Sequence, residues 1–118
     1  MRSMRTAIWQ GLPFIVFDHE YSLEHLPDKK GVYIIAGLNQ ANKWVPLYIG
    51  QSSSLAERPA THERWKEAES LGGTHIHYRV VQHQEDRNNL EELLIRTYQP
   101  RLNTQLKKIP ENDGPQEK

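Results

Sequence analysis

The alternation of apolar and polar positions predicts short β-strands in most of the chain. Apolar runs at 11–17, 32–36, 45–49 and 74–81 lie between turn-forming residues, as is typical of strands. A loop containing Asn39 and Asn42 separates the second run from the third, which predicts a hairpin with a long loop. In the last run, Ile76, Tyr78 and Val80 face one way, and the residues between them face the other.

The segments outside these strands are less regular. The run at 11–17 is interpreted as an accessory strand or as a cover over one sheet face. Residues 1–8 are interpreted as a loose arm or an added edge strand, and 21–26 as a helical turn. Residues 105–118 are rich in charged residues, Gln, Pro and Gly, which predicts a disordered tail. The expected organisation is an N-terminal extension over 1–29, a core domain over 30–104 and this tail.

A helix is expected after the third run, although its start contains a conflict. Ser54 and Glu57 have the spacing of a capping box, which would begin a helix at Leu55. Pro59 disfavours the helical conformation for Arg58, the residue before it. The interpretation is a short turn followed by a helix over 59–71, which ends at the two glycines at 72–73.

The final helix, expected over 86–99, contains two adjacent carboxylates in different environments. Its apolar positions form one arc at 100° per residue: Leu90, Leu94, Ile95 and Tyr98. Glu91 falls inside this arc, whereas Glu92 points away from it and lies four residues before Arg96, as in an exposed ion pair. A buried carboxylate is costly without a partner, and a metal ion is one such partner. The alternative is that Glu91 lies at the edge of the arc and reaches water.

Composition limits the classes of protein that need to be considered. A chain of 118 residues favours one domain. The absence of cysteine excludes disulfides and cysteine-based zinc sites and suits a reducing compartment. No apolar run approaches the roughly 20 residues of a membrane helix, and polar residues interrupt any secretory signal. We therefore expect a cytoplasmic protein without a membrane segment.

The charge balance gives no general attraction to nucleic acid, whose binding domains are usually basic. Lys plus Arg and Asp plus Glu both number 15, so the formal net charge is zero. Attraction to phosphate would therefore have to be local. The candidate cations are Arg58, Arg64, Lys66, Arg79, Arg87, Arg96 and Arg101, although a solvated surface charge is the more common role for each of them.

His75 and His77 lie on the same side of the last predicted strand. Two histidines at this spacing would be able to bind a metal ion from one strand face. No third ligand with matching spacing is evident in the sequence. A solvent-facing or cross-strand role is therefore favoured for both.

Two tripeptides and a helix resemble a known family. The segments Gly31-Val32-Tyr33 and Tyr48-Ile49-Gly50 are similar to the paired motifs that name the GIY-YIG endonuclease superfamily, with valine in place of the naming isoleucine. Arg58 stands where the family has its arginine. The segment 91–103, which begins with Glu91 and ends with Asn103, resembles the end of the nuclease domain in the bacterial excision-repair incision subunit. The similarity covers about residues 30–104.

This resemblance implies a fold, an activity and a set of catalytic residues. The implied fold is α/β (α+β), with a small three-stranded antiparallel sheet flanked by helices. An extra N-terminal strand is expected if residues 11–17 form the accessory strand. The implied activity is metal-dependent hydrolysis of DNA phosphodiester bonds. Glu91 would hold Mg²⁺ or Mn²⁺, and Arg58 would stabilise charge on phosphorus. Tyr48 is the first candidate for the general base, with His62 sharing or orienting that role, while Tyr33 would orient water or phosphate.

The resemblance also implies supporting residues and partners. Gly31, Gly50 and Asn103 would be structural parts of the motifs. The residues expected to contact substrate are Gln51, Ser52, Arg64 and Lys66, and Gln51 stands where the family often has a lysine. DNA is the expected partner, and a protein partner would supply substrate specificity. The alternative is a catalytically weak or inactive module of this type that binds nucleic acid or a protein without cutting.

Overall fold

One five-stranded sheet forms the centre of the molecule. The computed structural model describes residues 5–57 and 64–103. In chain order, the elements are β1 (Arg5–Trp9), β2 (Leu12–Asp18), α1 (His19–His25), β3 (Gly31–Leu38), β4 (Trp44–Ser52), α2 (Arg64–Ser70), β5 (His75–Val80) and α3 (Gln84–Tyr98). All neighbouring strands are antiparallel, in the order β1-β2-β5-β3-β4. The expected α+β class is confirmed, but the sheet has five strands rather than three.

The two additional strands come from the N-terminal extension. Gln10 and Gly11 both have positive φ (52° and 76°), as a two-residue type I′ turn requires, and they join β1 to β2. Strand β2 then pairs with β5, with Ile15 opposite Tyr78. The predicted accessory strand is therefore present, and residues 5–9 form the edge strand that was one of two interpretations.

Helices cover both faces of the sheet. On one face, buried residues of β2, β3 and β5 pack with α1 and α2: Phe17, Tyr33, Ile35, Ile76, Tyr78, Trp65 and Ala68. On the other face, a second set packs with α3: Trp9, Val16, Val32, Ile34, Ile49, Leu94 and Ile95. Burial of apolar side chains on both faces is the main stabilising contribution. The alternation predicted for β5 is confirmed, because Ile76 and Tyr78 share one face and His77 lies on the other.

The start of the second helix differs from the capping-box pattern. Residues 55–57 form a turn, in which Glu57 N donates to Ser54 O at 3.2 Å. The Ser54 hydroxyl donates to Asp28 at 2.7 Å, so no helix begins at Leu55. Helix α2 ends at Ser70, before Gly72 with its φ of 98°. Residues 58–63, which include Arg58, Pro59 and His62, lie outside the described residues.

His77 is a buried histidine beneath two tryptophans. It is fully buried, and Trp9 Nε1 donates to His77 Nδ1 at 2.9 Å. The Trp44 ring packs edge to face at a centroid distance of 4.4 Å. Burial, together with the nearby His75 and Arg5, lowers the pKa of His77 to about 3. The cross-strand role is therefore observed for His77, and the described residues contain no group of three or more His, Asp or Glu side chains that would bind a metal.

Two other expectations concern a membrane segment and the C-terminal tail. No helix in the described part of the chain is long and apolar enough to cross a membrane. The tail predicted over 105–118 lies outside the described residues.

Candidate active site

The two tyrosines of the paired motifs lie on the same face of the β3–β4 hairpin. Tyr33 is opposite Gly50 and Ile35 is opposite Tyr48, and the two tyrosine rings are 6.2 Å apart between centroids. Tyr33 is almost completely buried, whereas Tyr48 is half-buried. The pairing register shifts at Leu47, which has no partner on β3 and therefore forms a bulge next to Tyr48.

Both motif glycines allow another group to approach the backbone. A Cβ atom at Gly50 would lie 2.7 Å from the Tyr33 hydroxyl oxygen, so any side chain there would displace the phenol. A Cβ atom at Gly31 would collide with the carbonyl oxygen of Arg79 and with Leu55. The glycine at position 50 therefore allows the Tyr33 hydroxyl to lie against β4, which is an edge strand of the sheet.

Asn103 holds this edge strand from outside. Its Oδ1 accepts from Ile49 N at 2.8 Å, and its Nδ2 donates to Ile49 O at 2.8 Å, so one side chain forms the two hydrogen bonds that another strand would form. Leu102 N also donates to Leu47 O at 3.0 Å. Helix α3 ends at Tyr98, and the next residue, Gln99, adopts the left-handed conformation, which turns the chain back toward β4. The end of α3 is thereby attached to the strand of the second motif.

Glu91 lies on the side of α3 that faces β4. It is half-buried, and Gln51 Nε2 donates to Glu91 Oε1 at 2.8 Å. Burial raises the pKa of Glu91, and the hydrogen bond from Gln51 opposes that shift. Glu92 instead accepts from Arg96 at 3.0 Å in an ion pair between exposed side chains. The two carboxylates therefore occupy the different environments that the helical periodicity predicts.

The phenols and the carboxylate approach β4 from opposite faces. Tyr33 lies against Gly50 on the face that is covered by α1 and α2. Glu91 is bonded to the next residue, Gln51, on the face that is covered by α3. The site is therefore organised around two consecutive residues of an edge strand, rather than in a pocket on one face of the sheet.

The available donors suit a hard divalent cation. Glu91 offers oxygen ligands, and the hydrogen bond from Gln51 engages Oε1. Mg²⁺ commonly binds through one or two carboxylates and keeps several water ligands, so it does not require a cluster of acidic residues. Burial raises the pKa of the Glu91 carboxyl group, which means that it disfavours the ionised form. A neighbouring positive charge would favour the ionised form and would offset this cost. Glu91 is therefore a suitable ligand for a hard divalent cation.

The residues expected to contact substrate have different surroundings. Arg64 pairs with Glu67 at 2.8 Å, and its guanidinium carbon lies 6.0 Å from the centre of the Tyr48 ring. Lys66 is exposed on α2. The Ser52 hydroxyl donates to Ser54 O at 2.7 Å and accepts from Ser54 N at 3.0 Å, which holds it in the turn. Arg64 is therefore near the phenol pair, whereas Ser52 stabilises the strand end.

Two arginines proposed for phosphate contact have other partners. Arg87 is only 4% exposed, so its assignment as a surface cation was wrong. Its guanidinium donates to the backbone oxygens of Val81 and Gln82 at 3.0 and 2.8 Å. Arg96 is paired with Glu92. A single arginine in an otherwise polar helix turn gives no sequence signal of burial, because its long side chain reaches the acceptors only after folding.

Comparison with known proteins identifies the fold. The structure aligns with the GIY-YIG N-terminal endonuclease domain of UvrC from Thermotoga maritima bound to its catalytic divalent cation, magnesium, at a TM-score of 0.59 and 26% identity, over 72% of this chain and 94% of that domain. A variant of that domain with one tyrosine replaced by phenylalanine aligns at a TM-score of 0.56 and 25% identity, over 72% and 93% of the two chains.

Comparisons of sequence alone give no match. No family model matches the chain, and no curated protein sequence matches it. The likeness is therefore found by comparing structures. The chain has a GIY-YIG-like fold, the nuclease-type fold of the UvrC N-terminal endonuclease domain.

Proposed function

We propose that this chain is a metal-dependent endonuclease that hydrolyses phosphodiester bonds in DNA, with Mg²⁺ or Mn²⁺ held by Glu91. The observation that carries the proposal is the half-buried Glu91 carboxylate, bonded to Gln51 directly after the second glycine motif. The similar UvrC domain is an endonuclease domain bound to magnesium, which supports the same chemistry here. The core over 30–104 is the proposed catalytic unit, and β1 and β2 extend its sheet.

The cation would supply neutralisation of the phosphate and of the leaving oxygen. The residues of the chain would do the rest. The buried Tyr33 has little freedom to move, because its hydroxyl lies against Gly50, and it would orient water or phosphate. The half-buried Tyr48 is the first candidate to accept the proton of the attacking water, with His62 as the second candidate. The planar guanidinium of Arg58 would stabilise charge on phosphorus. The assignments to Arg58 and His62 rest on sequence resemblance.

Substrate contacts are proposed on the α2 side of the tyrosines. Arg64 is near Tyr48, and Lys66 is exposed on the same helix, so both would reach phosphates. With a formal net charge of zero, the chain offers little long-range attraction to DNA. Affinity should therefore be modest and should fall as salt rises, because phosphate contacts release counterions. A cytoplasmic location and a protein partner that supplies specificity remain predictions.

The neutral charge favours a second candidate function, a module that binds nucleic acid or protein without cutting. Such a module would need the fold but not the ionised Glu91. The two candidates therefore differ in their response to the loss of this carboxylate.

Nicking of supercoiled plasmid DNA distinguishes them. Wild type is compared with Glu91→Gln and Glu92→Gln in Mg²⁺, and the second variant is the matched control because Glu92 forms only an exposed ion pair. We expect Glu91→Gln to lose at least 100-fold in rate, by analogy with the loss of another charge-stabilising group, and Glu92→Gln to retain the wild-type rate. Equal rates for wild type and Glu91→Gln, or no nicking of duplex, flap, branched or single-stranded DNA, would reject the nuclease and favour the binding module.

A further inference from the structure

A network of polar side chains surrounds Glu91 and extends along the first turns of α3. Its members are Gln51, Gln84, Arg87, Asn88 and Glu91. Gln51 is at its centre: its Nε2 donates to Glu91 Oε1 and to Asn88 Oδ1, both at 2.8 Å. Its Oε1 accepts from Gln84 Nε2 at 2.9 Å and lies 3.4 Å from Arg87 Nε.

The chemistry of the two ends fixes the direction of the central amide. Arg87 can only donate hydrogen bonds, and an ionised Glu91 can only accept them. The Gln51 amide lies between them, with its oxygen toward Arg87 and its nitrogen toward Glu91. A flipped amide would place its NH₂ against the guanidinium and its oxygen against the carboxylate. Only the observed orientation satisfies both neighbours.

Arg87 itself is held firmly by neutral acceptors. Besides the two backbone oxygens, its NH2 group donates to Gln84 Oε1 at 2.8 Å. Among the described residues, its hydrogen-bond acceptors are all uncharged, and the network connects this buried cation to an anion through Gln51. A hydrogen-bonded chain between a cation and an anion polarises the amide between them, which strengthens its donation to the carboxylate.

The geometry points to Gln51 and Arg87 as positioning residues for Glu91. Arg87 fixes the direction of the Gln51 amide both directly and through Gln84, whose oxygen it holds and whose Nε2 donates to Gln51 Oε1. Gln51 in turn holds Glu91 Oε1, which leaves the second carboxylate oxygen available to a divalent cation. This assignment goes beyond substrate contact, the role expected for Gln51 from sequence. The inference rests on the proposed function, because it assumes that Glu91 holds the metal.

The first test requires no metal and no DNA. In NMR spectra of the metal-free protein, we expect the Gln51 side-chain amide protons to exchange with solvent at least 10-fold more slowly than those of the exposed Gln82. Arg87→Lys keeps the charge but removes the guanidinium donors to Gln51 Oε1 and to Gln84 Oε1, and it should reduce that protection. Fast exchange in the wild type would overturn the inference, as would unchanged protection in a folded Arg87→Lys variant.

The second test measures Mn²⁺ binding by electron paramagnetic resonance in the absence of DNA. Gln51→Met keeps the length of the side chain but removes its hydrogen bonds, and we expect about 10-fold weaker binding, as for other residues that support metal ligands. Gln82→Met removes an amide outside the network and should bind as wild type does.

The outcomes separate the inference from the proposed function. Wild-type binding that is lost in Glu91→Gln and weakened in Gln51→Met supports both. Binding that depends on Glu91 but is unchanged in Gln51→Met overturns the positioning role and leaves the nuclease proposal intact. Absence of Mn²⁺ binding in the wild type counts against the proposed metal site, and the amide exchange then decides whether the orientation of Gln51 is fixed.

Discussion

Acidification should destabilise this fold through His77 in particular. The imidazole is fully buried, and its Nδ1 accepts from the indole of Trp9 at 2.9 Å. A proton added at Nδ1 would remove that acceptor and place a charge inside an apolar core. The proton therefore binds more readily to the unfolded chain than to the native protein, and stability falls as the pH falls below the ordinary histidine range.

The size of this effect follows from the pKa of His77. Burial lowers that pKa from 6.5 to about 3, and each pH unit between these values is worth about 1.4 kcal/mol. The contribution is complete above pH 6.5 and is lost progressively toward pH 3. Between pH 7.5 and pH 4.5, the free energy of unfolding should fall by about 3 kcal/mol through this residue, which is a large share of the roughly 5–15 kcal/mol of a typical domain.

Urea unfolding followed by far-ultraviolet circular dichroism at both pH values measures this loss. His77→Phe cannot titrate, so its loss between pH 7.5 and 4.5 should be about 3 kcal/mol smaller than that of the wild type. At pH 7.5 the variant should be less stable by about 1–3 kcal/mol, because the Trp9 indole loses its acceptor. His83→Gln, at an exposed position, is the matched control and should keep the wild-type dependence.

The comparison between variants isolates His77 from the other titrating groups. If His77→Phe folds and loses as much stability on acidification as the wild type, the assignment of the acid sensitivity to this buried imidazole is wrong.

Three further substitutions test the site directly. Asn103→Ala leaves Ile49 N and O without their side-chain partners and should lower the free energy of unfolding by about 2–5 kcal/mol in urea titrations; a loss below 0.5 kcal/mol would contradict the role of this clamp. Gly50→Ala would place Cβ 2.7 Å from the Tyr33 oxygen, so plasmid nicking should fall more than 10-fold while Mn²⁺ binding is retained, and unchanged nicking would argue against a role for Tyr33. Glu92→Ala should change stability by less than 1 kcal/mol, because exposed ion pairs contribute little.

Local patterns in the sequence were sufficient for most of the fold. The strand at 74–81 alternates clearly, and the arc of α3 distinguishes Glu91 from Glu92, because periodicity depends only on residues close in the chain. The N-terminal strands remained ambiguous, because the β1–β2 hairpin joins the sheet only through the pairing of β2 with β5. The paired residues are about 60 positions apart in the sequence. The capping box failed for a similar reason: Ser54 found a distant partner in Asp28.

The candidate site was predictable in its parts but not in its arrangement. Glycine and tyrosine motifs indicated which residues meet, whereas no pattern indicated that Tyr33 and Glu91 approach β4 from opposite faces. The burial of Arg87 was missed because its acceptors are backbone oxygens, which every sequence contains. The sequence left a solvent-facing and a cross-strand role open for His77, because a histidine on a strand is compatible with both surface and core.

The two-sided arrangement about β4 makes the alignment of a single strand a condition for the proposed chemistry. Sliding β4 by one residue relative to β3 would reverse the facing of every side chain along it. In the direction that places Gln51 opposite Tyr33, the phenol would meet an amide, and Glu91 would lose its hydrogen-bond partner. The Asn103 amide forms two hydrogen bonds with Ile49 of that strand, and the bulge at Leu47 interrupts the regular pairing of β4 with β3. Both features resist such sliding. Mutations far from the proposed reacting atoms would therefore abolish the proposed activity by misaligning this strand, with the fold otherwise preserved.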